Sequence, residues 1–323
     1  MHGQEYIADK LGLADELMFG SESGDIDELR LIAKRQLSPE YSQRLSEIYR
    51  GGAGYPAAMQ RAYEELYGKS GLLNSPNNIL AIEYIKSLIR LSSPITAATV
   101  RREDNYSSDQ LGTSYPSATA LRRLIERSEV GELASHMPMQ VYKELCAAEE
   151  RGLFPINMNK YGEYALSYLR LCHKDDLSNI VGMGGGIENR ILQAASVSST
   201  YEELLCAIST KKYTDAKLRR AILASLLGVT NTHMERDIPY VRLLAAGRKG
   251  REMLALLRKN ENIFIATKTA DIKGIFEGLE TGKRTVARRL YEIEKRADAL
   301  FTLCLPHPKE AGFFGKMMPF VEK

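Results

Sequence analysis

Four cysteines stand in 323 residues, at positions 146, 172, 206 and 304, and no two form a Cys-x-x-Cys pair. Neither a disulfide framework nor a zinc knuckle finds support in that scatter, and a reducing compartment fits it. The five histidines are as dispersed, with no His-x-x-x-His pair, so a built-in metal site has little support either. The longest apolar stretch, Ala221 to Val229, is far too short to span a bilayer. Met1-His2-Gly3-Gln4-Glu5 carries neither a basic nor an apolar leader segment, so no signal peptide is expected. The expectation is a cytoplasmic protein without membrane contact.

What is present reads as globular. Hydrophobic residues make up 44% and charged residues 26%, which excludes a disordered chain. The length suits about two domains. Net charge is +3, but it is unevenly spread. Residues 1–50 hold six Lys or Arg against ten Asp or Glu, while residues 211–259 hold twelve against four. A basic block of that kind is the place to look for a polyanion partner, although a solvated helical face also carries such runs.

Short apolar runs alternate with helical patterns over the first 130 residues. Leu17-Met18-Phe19 ends a strand, Gly20 to Gly24 turn, and Asp25 caps a helix through Arg35. A second helix runs from Ala57 to Tyr67. Ser75 and Pro76 open a third, whose stripe is Ile79, Ile82, Ile85 and Ile89. Ile95 to Val100 is β-rich. Strand, helix, strand in that order predicts an α/β domain with a parallel sheet and helices on its faces. Past residue 130 helices dominate, at 139–151, 161–172, 187–196, 200–209, 215–227 and 284–300, with one strand at Ile263 to Thr267. The division falls at residues 1–130 and 131–323.

Open parallel sheets bind ligands outside the carboxyl ends of their strands. Gly20 follows the first strand, where a missing side chain admits a ligand. Asn77 lies in the first turn of the third helix, where free N–H groups favour an anion and an asparagine side chain turns outward. Arg102 follows the second strand, suited to a phosphate or carboxylate. Ser117, Thr119 and Arg122 open a further helix after Tyr115-Pro116. Each is weak alone; on one edge, together, they suggest a nucleotide site.

Several segments now resemble one family. Phe19-Gly20-Ser21-Glu22, Gly54-Tyr55-Pro56, Pro76-Asn77-Asn78-Ile79-Leu80 and Ser117-Ala118-Thr119-Ala120-Leu121-Arg122 occur here in the order seen in the tRNA(Met) cytidine acetate ligases, of the HIGH-type nucleotidyltransferase-like superfamily. Gly186-Ile187-Glu188-Asn189-Arg190, Thr210-Lys211-Lys212-Tyr213-Thr214 and Tyr240-Val241-Arg242-Leu243-Leu244 extend the resemblance over nearly the whole chain. It implies a nucleotidyltransferase-like (Rossmann-like) domain, incomplete at its N-terminus, followed by a mainly α-helical tRNA-binding domain. It implies that ATP, expected with Mg2+, activates acetate as acetyl-adenylate, and that the wobble cytidine amine of elongator tRNA(Met) takes the acetyl group. It assigns ATP contacts to Gly20, Asn77 and Arg102, with the choice of Asn77 over Asn78 resting on spacing to Arg102. Ser117, Thr119 and Arg122 resemble the superfamily's second phosphate motif.

One departure is large. The family's pattern opens with a strand and a His-x-Gly-His motif on the ATP phosphates, and these 323 residues hold no such motif. Those histidines stabilise the charge that builds as pyrophosphate leaves. The chain as given is therefore expected to be weakly active or inactive, as a fragment, a mis-called start or a diverged protein. A non-catalytic tRNA-binding protein with a vestigial nucleotide fold is the alternative, and a small-molecule nucleotidyltransferase is a third, disfavoured by the basic helical half. In that half Lys211, Lys212, Tyr213, Lys217 and Arg220 are the candidate RNA contacts, at the start of a helix that Thr214 is expected to cap. Basic residues in a first turn oppose the helix dipole, and a phosphate there relieves the conflict; unstacked loop bases stack on aromatics such as Tyr213. Gly184-Gly185-Gly186 reads either as an anion-binding turn or as a tight interdomain turn.

Overall fold

The structure is a computed structural model that describes residues 3–52, 54–102, 118–127, 130–210, 213–233, 238–257 and 262–322. The first part holds α1 (Gly3–Leu11), β1 (Glu16–Ser21), α2 (Ile26–Gln36), α3 (Pro39–Arg50), α4 (Tyr55–Tyr67), α5 (Pro76–Leu91) and β2 (Thr96–Arg101). Strands β1 and β2 run parallel, with Glu16 opposite Thr96 and Ser21 opposite Arg101. Side chains alternate between faces along each strand. Phe19 and Ala97 therefore point with each other into a core built on Leu29, Ile32, Tyr41, Ala62, Ile82 and Ile85. Met18 and Val100 lie on the opposite face and are 61% and 55% exposed.

Local signals explain most of these elements. Asp25 caps α2 by accepting from the Asp27 and Glu28 N–H groups. Ser38 caps α3 through the Tyr41 N–H, and Pro39 fits its first turn. Helices α1 and α3 are additions to the elements expected from the sequence. The α5 stripe also differs from the expected one: Ala81, Ile82, Ile85 and Leu88 are buried, whereas Ile89 has rotated out to 38% exposure.

The remaining helices are α6 (Ala118–Glu126), α7 (Met139–Glu150), α8 (Met158–Leu171), α9 (Lys174–Ser178), α10 (Ile187–Val197), α11 (Tyr201–Ile208), α12 (Asp215–Leu227), α13 (Arg248–Leu257), α14 (Thr269–Gly278) and α15 (Thr281–Leu303). Short strands β3 (Tyr240–Arg242), β4 (Ala245–Ala246), β5 (Phe264–Ala266) and β6 (Phe320–Val321) pair in parallel as β3 with β5 and β4 with β6. Leu169, Leu177, Ile187, Ile191, Leu204 and Ile222 centre the largest core, shared by α8, α9, α10, α11 and α12. A smaller core joins Tyr240 and Ala266 to Ile272, Phe276 and Ala287. Among the described residues no helix is long and apolar enough to cross a membrane.

Candidate nucleotide site and basic helix

The loop leaving β1 is held from below by the start of α5. Asn78, 1% exposed, accepts at Oδ1 from the N–H groups of Glu22 (2.9 Å) and Ser23 (3.1 Å). Glu22 answers in the other direction. Its carboxylate accepts from the Asn77 N–H at 3.2 Å, the Asn77 Nδ2 at 2.8 Å and the Asn78 N–H at 2.8 Å. Burial alone would push the Glu22 carboxyl up, but the Asn77 side chain and the two helical N–H groups pull harder, and its pKa falls below the ordinary glutamate value. A carboxylate here supplies what the free N–H groups and the dipole of a helix start demand.

This corrects two expectations. The first-turn N–H groups of α5 do not stand free for an anion, because Glu22 occupies them. Asn77 does not turn its amide outward, because that amide donates to Glu22. Ser75 makes no side-chain cap; the cap of α5 comes from across the loop. The choice between the two asparagines also gains a physical basis, since Asn78 is buried scaffold and Asn77 lies partly exposed at the edge.

Gly20 and Arg102 come together. A Cβ at Gly20 would stand 3.0 Å from the Arg102 Cγ and 3.2 Å from its Cδ, so the arginine stem lies across the glycine. The Arg102 N–H donates to the Ser21 carbonyl at 2.8 Å, which extends the β1–β2 ladder by one residue. On the other side of the turn, Arg101 packs against Gly24. Of the further phosphate candidates, Arg122 is exposed on α6. Ser117 and the Thr119 side chain lie outside the described residues.

In the helical half, Lys211 and Lys212 lie outside the described residues. Tyr213 is half-buried; its ring carries the Lys217 ammonium at 5.0 Å, and its hydroxyl donates to the Gly185 carbonyl at 3.5 Å. Tyr213 thereby joins the start of α12 to the glycine turn before α10. Gly184, Gly185 and Gly186 all have positive φ, and the Gly184 N–H donates to the Glu188 carboxylate, so that turn carries its own anion. Arg220 is exposed. Thr214 makes no side-chain cap; instead the Ser209 hydroxyl donates to Asp215, whose carboxylate balances the basic first turn. Two residues that sequence reasoning left out of the sites now stand out. Glu22 sits inside a motif of the resemblance without a role of its own there. Arg219, between the candidates Lys217 and Arg220, has its guanidinium 5.7 Å from the centre of the Tyr201 ring.

A parallel strand pair connected through helices α2 to α5, with an arginine laid over a strand-end glycine, is the α/β arrangement in which ligands bind outside the carboxyl ends of the strands. The family model described as HIGH Nucleotidyl Transferase matches residues 5–313. The chain belongs to that family, and its curated relatives narrow the place within it. It is 31% identical to the tRNA(Met) cytidine acetate ligase of Acetivibrio thermocellus, over 95% of this chain and 76% of the relative. Identity to the ligase of Caldanaerobacter subterraneus is 30%, over 95% of this chain and 78% of the relative. The crystal structure of apo Thermotoga maritima TmcAL superposes with a TM-score of 0.91 at 25% identity, covering 99% of this chain and 80% of that one. TmcAL bound with alpha-thio ATP superposes with a TM-score of 0.90 at 26% identity.

Proposed function

We propose that this protein is an ATP-dependent ligase that acetylates the wobble cytidine of elongator tRNA(Met). An acetate oxygen attacks the α-phosphorus of ATP, the bond to pyrophosphate breaks, and acetyl-adenylate forms. The exocyclic amine of the cytidine then attacks the acetyl carbon, AMP leaves, and the amine gives up a proton. No enzyme nucleophile is required, so the protein's contribution is positioning and electrostatics. Gly20, Asn77 and Arg102 are the proposed ATP contacts, with Ser117, Thr119 and Arg122 on the phosphates. Lys211, Lys212, Tyr213, Lys217 and Arg220 are the proposed contacts with RNA. The nucleotide part is taken as residues 1–130 and the RNA part as residues 131–323.

Among the described residues no cluster of three or more His, Cys, Asp or Glu side chains could hold a metal ion. Magnesium on ATP needs no such cage, since phosphate oxygens and water supply most of its ligands. We treat Mg2+ as part of the nucleotide substrate.

The observation that supports this reading most is the Arg102 stem over Gly20, beside the start of α5, in a chain this similar to ligases of that activity. Acetate-dependent exchange of labelled pyrophosphate into ATP tests it. Exchange above the acetate-free background is expected. Gly20→Val, which pushes Arg102 aside, and Arg102→Ala should each lower ATP affinity about tenfold or more, the scale of one charge-assisted contact. Exchange that ignores acetate, or ATP binding unchanged in both variants, would refute the assignment.

A further inference from the structure

A pocket of about 430 Å3 lies between α8, α11, α12 and α15. Tyr161, Tyr201, Arg219, Arg220, Leu223 and Phe301 line it, and the rest of its lining is apolar. That volume is in the range of small-ligand pockets, about 300–1,000 Å3. Apolar side chains exposed singly need no explanation, but here three converge on one opening: Met158 (52% exposed), Leu223 (39%) and Phe301 (44%).

The polar groups around this opening are few and directional. Tyr161 and Tyr201 meet edge to face with ring centres 5.3 Å apart. Tyr201 is 3% exposed, with its hydroxyl paired to the Tyr161 side chain. Burial pushes its pKa up, so it stays a neutral phenol able to donate or accept. Arg219 and Arg220 are exposed at successive positions of α12, within the most basic part of the chain.

We propose that this pocket receives one unstacked base of the RNA substrate, with the flanking phosphates on Arg219 and Arg220. A nucleotide divides as this site does, into a flat heterocycle and an anion. An aromatic, apolar recess suits the first and paired guanidiniums the second. The pocket opens on α12, the helix already assigned to RNA. This inference rests on the RNA-substrate reading above and adds to it where one base is held.

The test uses the full chain and a tRNA(Met) anticodon stem-loop carrying 2-aminopurine at one loop position at a time. Binding should change the fluorescence strongly at a single loop position. Phe301→Ala and Leu223→Ser, at exposed positions where the fold tolerates change, should abolish that signal. They should weaken binding about 5- to 150-fold, the range for loss of one stacked base, with the salt dependence unchanged. Arg219→Ala and Arg220→Ala should each reduce the slope of log affinity against log salt by about 0.7. If the wild type binds the stem-loop and both rim variants bind it equally well, the pocket is not the base site, while the RNA reading stands. If both variants keep RNA binding but lose self-association, the pocket docks protein and the inference is wrong. If the wild type binds no RNA at all, the underlying reading fails with it.

Discussion

Glu22 does the most with the fewest atoms. One carboxylate closes the loop after β1, caps α5 and fixes Asn77, and Asn78 returns two hydrogen bonds to the same loop. Its folded pKa lies below the unfolded value of about 4.3. The stabilisation is therefore present above that unfolded value and lost as pH falls through the folded pKa. Glu22→Gln keeps the shape and removes the charge. At pH 7 it should cost about 1–2 kcal/mol, as expected for hydrogen bonds to a charged group at a helix start. Urea unfolding at pH 7 and near pH 3 should show the difference shrinking at the lower pH; a difference independent of pH would mean that the charge contributes nothing. At this scale Gly20 and Arg102 were legible as site candidates, because each sits at a strand end. The job of Glu22 was not, since its partners stand some 55 positions away and only the fold brings them together.

Elements with their own start signals were legible, and the cap of α2 is as the sequence suggests: Asp25 holds two N–H groups. Helix α3 carries comparable punctuation in Ser38-Pro39, but it follows α2 so closely that the two helices lack a clear loop signal between them. Ser38 also bonds the Tyr67 hydroxyl at 2.9 Å, tying the start of α3 to the end of α4. Ser38→Ala should therefore cost about 1–2 kcal/mol, a cap plus part of a hydrogen bond. That loss should appear as a lower urea midpoint with unchanged slope; an unaltered midpoint would show that Pro39 alone sets the helix start. The start of α12 departs from its expected form for a related reason. Its basic turn is balanced by Asp215, which the Ser209 hydroxyl meets, and Thr214 takes no part. Local propensity named a cap residue whose side chain stays unused, and the Ser209 hydroxyl orients the Asp215 carboxylate without capping the helix.

Across the whole molecule, a near-neutral charge of +3 separates into an acidic first 50 residues and a basic stretch at 211–259. The acidic residues share the first part of the fold with Gly20, and the basic stretch runs from α12 to α13. Such a division suits a protein that brings a nucleotide and an RNA together, and composition alone hinted at it. The apolar pocket beside α12 was beyond reach of the sequence, because it is built from four helices between Met158 and Leu303 whose packing no local pattern specifies. The central claim is chemical: acetate activated by ATP reaches an amine on RNA. Incubating the protein with ATP, labelled acetate and either elongator tRNA(Met) or the same tRNA with uridine in place of the wobble cytidine tests it most directly. The account predicts ATP-dependent label on the cytidine tRNA and none on the uridine form, which lacks the amine. Equal labelling of both, or labelling without ATP, would contradict it.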